Sequence, residues 1–579
     1  MRHAFLATAV ALAAACSPPV ETTDADVATS DAADTIDDIV NPDVADAPDP
    51  HDGARLPRCE DTEPTGDPHL APVASTLMAT VVPTGTRVAM ADFGLNPVFE
   101  RNELTWRGMG FDQYAAGPAQ TRLVRTDLGM ATGPATTRHS LAWFVHLSDT
   151  QLVDDESPSR LALIESPDSS GGIRPQEPWL PHAISAMNRT LGALQRAERP
   201  FQFGVFAGDC ADSAQTNELQ WFMALMNGEH VELDSGNDDD PIPGPDNDPK
   251  DPFTPAAFPA PWYFVPGNHD VEVVGVAAVT ANARMTAIGN NSSTGTRDYT
   301  RWWAEPRRGT VVADPQRALV DRGTIVSTLQ GGPAMPGPVG HGFPAGTDVS
   351  LGANYVVDAI PGLLRILALD TSDPSGGSPG LVKRATIDTW LRPQLERAQT
   401  DGVLVMLASH HATSSIDTHT AEVGPVDPDA VPGADIETLV TGYPNVIAWL
   451  VGHNHDVRVR AIRGADAMHP GYWEIMSGSI ADFPNQSRTV EVVDNGNGTL
   501  SIFGTMVDYE ATSCFERRFR RLAIMDYLSR WEADHRGIDS DRNVELVIPV
   551  PTAVAAHIAT ALATAPTRIE SETTLVGMR

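Results

Sequence analysis

The sequence predicts an α/β fold. Two observations carry the prediction: from about Leu141 onward, short β-rich runs alternate with stretches of helical periodicity, and almost every run ends in polar residues able to bind a metal. Composition allows the large core this needs, since 41% of the 579 residues are hydrophobic, too many for a disordered chain. At about 150 residues per domain the length permits several domains, or one large α/β core with insertions.

The chain starts with Met1-Arg2-His3, an apolar run from Ala4 to Ala15, and then Cys16. A basic start and a short apolar run predict a signal peptide over residues 1–16, too short to span a bilayer. Small residues before Cys16 look like a bacterial lipoprotein cleavage site with Cys16 as the lipidated residue. Such sites usually carry Leu three residues before the Cys, whereas Ala13 stands there and Leu12 one position earlier. An ordinary secretory signal is the alternative.

Residues 17–54 contain eleven acids and no Lys or Arg. Residues 17–66 therefore predict a self-repelling, disordered tether. The expectation is an exported, lipid-anchored bacterial envelope protein, on the periplasmic or outer-membrane face, that meets the membrane only through its lipid. A formal charge of -36 argues against a basic groove, so no nucleic-acid binding is expected. With Cys16 lipidated, Cys59, Cys210 and Cys514 remain. In an oxidising compartment Cys59 and Cys514 could pair and fasten the start of the folded region to its end, although connectivity is not readable from sequence. Cys210 is expected buried and unpaired.

Residues 67–140 read as a short β-rich lead-in. The strand-like runs that follow are Ala142–Leu147, Phe201–Phe206, Tyr263–Val265, Leu363–Leu369, Val403–Leu407 and Val446–Val451. Between the first two, Ile184, Met187, Leu191 and Leu194 recur at helical spacing. The polar ends are Ser148-Asp149-Thr150-Gln151, Gly208-Asp209-Cys210-Ala211-Asp212, Gly267-Asn268-His269-Asp270, Ser409-His410-His411 and Gly452-His453-Asn454-His455. Singly, each is an ordinary turn or a chance histidine pair. As an ordered set, each after a hydrophobic strand, they mark the carboxyl ends of strands where open α/β sheets place active sites.

That ordered set resembles the signature of the calcineurin-like metallophosphoesterase superfamily, over about residues 141 to 508. The resemblance implies a two-sheet α/β sandwich with inserted cap loops, a domain at 141–510, and a dinuclear metal site between the sheet ends. It implies that Asp149, Gln151, Asp209 and His455 hold one divalent ion. Asp209 would bridge to a second ion held by Asn268, His410 and His453, with His411 beside the site. His269 would face the substrate as an acid for the leaving group, oriented by Asp270 or Asp212.

Two positions depart from the pattern. Gln151 stands where most members have His; an amide oxygen favours Mn²⁺, Fe²⁺ or Mg²⁺ over Zn²⁺, and the alternative is that the position is vacated and that metal held loosely. Gln at this position is also found in the superfamily's manganese-dependent ADP-ribose and CDP-alcohol diphosphatases. Asp212 stands where purple acid phosphatases carry a metal-binding Tyr, which points away from that branch.

The function implied is metal-dependent hydrolysis of a small phosphomonoester or phosphodiester, through a bridging hydroxide. A nucleotide diphosphatase is the rival within the class; a surface lipoprotein whose metals only brace a binding loop is the rival outside it. Oligomeric state is not readable.

Two insertions remain. The first, about 230–258, is acidic; it reads as a solvated loop, with oxygen ligation of Ca²⁺ as the alternative. The second, about 271–350, carries Arg297, Arg301 and Trp302, which would suit a cap over a phosphate-bearing substrate. His341 in the same insertion could reach the site. Tyr472–Ser477, Arg488–Val493 and Thr499–Val507 read as further strands, the last two joined by a turn from Asp494 to Gly498. Residues 516–535 predict a charged helix within a helical extension, 511–579.

Overall fold

A computed structural model describes residues 59, 75–89, 103–130, 133–135, 138–163, 172–237, 239–297, 299 and 307–564. The leader with Cys16, the tether apart from Cys59, and Arg301 and Trp302 lie outside the described residues.

Strands β1 (Thr80–Pro83) and β2 (Tyr114–Gly117) form an antiparallel ribbon. β3 (Leu123–Arg125), β4 (His139–Leu147), β5 (Phe203–Phe206) and β6 (Trp262–Phe264) lie in a large sheet, and β7 (Asn291–Thr296) pairs with β8 (Arg307–Thr310). A second large sheet contains β9 (Tyr355–Ile360), β10 (Leu364–Ala368), β11 (Leu404–Ala408), β12 (Val446–Val451), β13 (Val457–Asp466) and β14 (His469–Ser477). β15 (Gln486–Asp494), β16 (Thr499–Asp508) and β17 (Val544–Pro549) return to the first. The orders are β3-β17-β16-β15-β4-β5-β6 and β13-β14-β12-β11-β10-β9. β4-β5-β6 run parallel, as do β10-β11-β12-β14.

The two-residue period of the buried strands divides the layers. On β11, Leu404, Met406 and Ala408 join the main core, which also holds Phe144, Val205 and Ile502 of the first sheet. Val405 and Leu407 point the other way, onto Leu395, Ala398, Ile436 and Val440 of two covering helices. On the first sheet's side, α1 (Leu180–Ala197) buries Ile184, Met187 and Leu191. The result is the two-sheet α/β sandwich that the resemblance implies.

Helix ends follow local chemistry. The C-terminal helix α2 (Cys514–Ser529) begins where Ser513 and Glu516 form a reciprocal capping box. It stops six residues short of the expected end because Arg530 turns left-handed, at φ 73°. The chain then folds back onto the loop after β12, where Val457 N–H donates to the His535 carbonyl at 2.9 Å.

The flanks are not appendages. β17, inside the extension expected to be helical, pairs with β16 on one side and with β3 of the lead-in on the other. Val544, Leu546 and Ile548 enter the main core at every second position, which is a strand pattern rather than a helical one. Cys59 and Cys514 are joined by a disulfide that spans 455 positions, with a Cα separation of 5.9 Å, and Cys210 is buried and free. Among the described residues no helix is long and apolar enough to cross a membrane.

Candidate metal centre

All five polar motifs fall at carboxyl ends of strands that each run parallel to at least one neighbour: β4, β5 and β6 from one sheet, β11 and β12 from the other. The loops are bonded to one another across the gap. Asp149 N–H donates to the Gly208 carbonyl at 3.0 Å and Gln151 N–H to the Asp209 carbonyl at 2.8 Å. His453 N–H donates to Asp149 Oδ1 at 3.0 Å, and His269 N–H to Asp209 Oδ1 at 2.9 Å.

Asp149, Gln151, Asp209, His453 and His455 all adopt positive φ, between 41° and 78°. Non-glycine residues held there cost on the order of 1–3 kcal/mol each, and such strain gathers at functional sites. The motif glycines make room. A Cβ on Gly267 would stand 2.1 Å from Asp209 Oδ1, and one on Gly452 2.8 Å from Asp149 Oδ2.

Asp149, Asp209 and His410, all buried, each bring a ligand atom within 4.8 Å of the others. His410 Nε2 lies 2.9 Å from Asp209 Oδ2, while its Nδ1 donates to the Ala207 carbonyl at 2.7 Å and so fixes the ring. Burial alone would lower the His410 pKa; the Asp209 and Asp149 carboxylates outweigh it and push it up to about 9. Conversely, burial would raise Asp209, and the imidazoles of His410 and His269 hold it well below the usual carboxylate range.

Asn268 donates its amide nitrogen to the Gly275 carbonyl at 2.7 Å, which turns Oδ1 inward to 3.2 Å from His453 Nδ1. His455 presents Nε2 3.4 Å from Asp149 Oδ1, and its Nδ1 is held by Asp482 Oδ2 at 2.5 Å. His411 is occupied on both sides, Nε2 by the Ser378 carbonyl at 3.0 Å and Nδ1 by Thr371 Oγ1 at 2.9 Å. It braces the site rather than offering a ligand.

The donor set suits divalent cations: carboxylates, amide oxygens and imidazoles whose rear nitrogens are already bonded. Gln151 supplies the sharpest test. Its Oε1 is buried and accepts no hydrogen bond, a costly state that a cation would relieve.

His269 Nδ1 lies 2.7 Å from the Asp212 carbonyl and 3.7 Å from Asp212 Oδ1. Asp270, expected as a catalytic residue, is not oriented towards it. Its carboxylate accepts four backbone N–H bonds, from Asp209 and Gly267 on Oδ2 and from Cys210 and Ala211 on Oδ1, at 2.8–3.0 Å. That is a clamp on the ligand loop, so between Asp270 and Asp212 the geometry selects Asp212.

The expected substrate contact at Arg297 is also corrected. Its guanidinium is buried, donating to Glu177 Oε1 at 3.0 Å and to the Arg174 carbonyl at 2.7 Å. His341 stacks on Trp262 with ring centroids 3.5 Å apart and packs in the core. The acidic insertion is anchored by Lys250, whose buried ammonium donates to Asp155 at 3.0 Å and Glu156 at 2.5 Å. Two supporting residues escaped the sequence reading. Ser479 Oγ donates to the Asp149 carbonyl at 2.7 Å, and Asp482 holds His455. Both follow β14, a sixth strand end whose polar run could have been read with the other five.

No family model matches the chain, and no curated protein matches it in sequence. Among solved structures it is similar to a dimetal phosphatase from Danio rerio, at 13% identity and a TM-score of 0.33, over 64% of this chain and 100% of that one. It is also similar to a purple acid phosphatase isolated from yellow lupin seeds, at 9% identity and a TM-score of 0.29, over 68% of this chain and 55% of that one.

Proposed function

We propose that the protein is a metal-dependent phosphoester hydrolase of the calcineurin-like metallophosphoesterase kind, acting on a small phosphomonoester or phosphodiester. The observation that carries this reading is the placement of Asp209: its carboxylate contacts His410 Nε2 on one sheet's loop and His269 N–H on another, beside Asp149. In this reading Asp149, Gln151, Asp209 and His455 hold one divalent ion, and Asp209, Asn268, His410 and His453 hold a second. Two such ions would lower the pKa of a shared water from about 15.7 towards 7 and draw charge off a phosphoryl oxygen. The amide oxygens of Gln151 and Asn268 favour Mn²⁺, Fe²⁺ or Mg²⁺.

His269 then serves the leaving group. Its Nδ1 is tied to Asp212, so Nε2 is the nitrogen free to deliver a proton. A site that only stored metal would have no use for an unliganded imidazole held this way. Gln151 also supports a second reading, a nucleotide diphosphatase. The leader motif at Cys16 supports export and a lipid anchor on the envelope, and the acidic balance supports small substrates over polyanions.

Turnover of p-nitrophenyl phosphate, its bis-ester and ADP-ribose, each with and without Mn²⁺, tests the proposal. Metal-dependent release from either nitrophenyl ester supports the main reading. Release confined to ADP-ribose supports the second, and none from any substrate with metal bound contradicts both.

A further inference from the structure

The supports of His455 and His269 converge on one guanidinium, that of Arg174, which is 4% exposed. Its Nε donates to Asp482 Oδ1 at 2.6 Å and one terminal nitrogen to Asp482 Oδ2 at 3.2 Å, a forked pair. The other terminal nitrogen lies 3.9 Å from Asp212 Oδ1. Asp482 holds His455 Nδ1 and the Asp212 carbonyl holds His269 Nδ1. A continuous polar chain therefore runs His455, Asp482, Arg174, Asp212, His269.

Arg174 is itself fixed from outside the chain. Its N–H donates to Glu177 Oε2 at 2.8 Å, and its carbonyl accepts from Arg297 at 2.7 Å. Glu177 in turn accepts from Arg160 at 2.7 Å, and Arg160 pairs with Asp212. Arg297 thus belongs to the frame behind the site, which gives it a purpose other than substrate contact.

We propose that Arg174 is a positioning residue that sets both His455, on the ligand loop after β12, and His269, after β6, through one planar fork. The proposal rests on the ligand and acid assignments made above. A guanidinium can satisfy both Asp482 oxygens and still point a nitrogen at Asp212; a lysine ammonium is a point charge on a flexible stem and cannot hold that geometry. The two arms are unequal. The Asp482 arm is hydrogen-bonded, whereas the Asp212 arm is an ion-pair contact backed by Arg160, so His455 should depend on Arg174 more than His269 does.

The test uses the full-length protein carrying Arg174→Met or Arg174→Lys. Mn²⁺ affinity of the apoprotein is measured by calorimetry, and kcat is compared on p-nitrophenyl phosphate and on an alkyl phosphate. Loss of the partner behind a metal-binding His typically weakens metal about 10–100-fold. Arg174→Met should show that weakening together with a lower alkyl-to-nitrophenyl kcat ratio, and Arg174→Lys a smaller change in the same direction. Asp482→Asn added to Arg174→Met should weaken metal little further, because both act on one support. Folded Arg174→Lys with unchanged Mn²⁺ affinity and an unchanged kcat ratio would overturn the proposal, and that variant decides if Arg174→Met does not fold. Should wild-type protein hydrolyse no phosphoester, the proposed function fails by itself, while calorimetry still reads the effect of Arg174 on His455.

Discussion

His269 Nδ1 lies 2.7 Å from the backbone carbonyl of Asp212. A carbonyl only accepts, so this nitrogen carries the hydrogen and Nε2 is the one left to act. Gly275 keeps that side clear: a Cβ there would stand 2.4 Å from Nε2. His269→Ala is therefore expected to keep both metals while lowering kcat on an alkyl phosphate about 10²–10⁴-fold. The loss should be much smaller on p-nitrophenyl phosphate, whose leaving group needs little protonation. Equal losses on the two substrates would contradict the assigned role.

Gly267 tests the packing of the ligand loop. Its missing Cβ would meet Asp209 Oδ1 at 2.1 Å and the Asp209 backbone nitrogen, which cannot give way, at 2.5 Å. Gly267→Ala should displace the Asp209 carboxylate and reduce metal content below two per chain, read by elemental analysis after dialysis. Full metal content would show that the loop adapts and that the close approach is incidental.

His182 offers a pH-dependent measure of stability. It stacks on Phe253 at 4.3 Å and meets Phe515 at 4.7 Å. Burial pushes its pKa down to about 4, with Glu516 opposing weakly. The unfolded-chain value is about 6.5. A folded pKa below the unfolded one means the stabilisation is full above pH 6.5 and is lost as pH falls towards 4. Between pH 7 and 4.5 this group accounts for about 2–3 kcal/mol of lost stability. His182→Phe, which keeps an aromatic ring between its neighbours, should shrink the difference in urea midpoint between those pH values. An unchanged difference would contradict it.

The Cys59–Cys514 disulfide ties the start of the described chain to the first residue of α2. Cys59→Ser with Cys514→Ser should lower unfolding stability by about 2–5 kcal/mol, seen in urea titration, with little change in kcat at 25 °C. A large fall in kcat with intact stability would instead place the helix in direct control of the site.

Much of the fold was readable because its central strands are buried runs that end abruptly in Gly, Asp or His. Val446–Val451 matches the observed strand residue for residue, and the other parallel runs match within one to three. β13 was missed: it alternates Val and Arg at the sheet edge and follows directly on Gly452-His453-Asn454-His455, which reads as loop. β17 was missed because six residues between two helical patterns carry little signal of their own. The candidate ligands were readable because each motif is contiguous. The pairing of Arg174 with Asp482 was not, since 308 positions separate two groups that meet only in the folded sheet ends. Arg297 misled for the related reason that an Arg in an insertion looks the same whether it meets a substrate or a buried Glu177.

The clustered strand ends are expected to bind two divalent ions that phosphoester hydrolysis requires. The most direct measurement is phosphoester turnover by apoprotein titrated with Mn²⁺, run beside Asp209→Ala. Turnover should rise and level off at about two equivalents per chain in the wild type, and the variant should neither bind the pair nor turn over. Hydrolysis that ignores metal, or two ions bound with no hydrolysis of any phosphoester, would contradict the account.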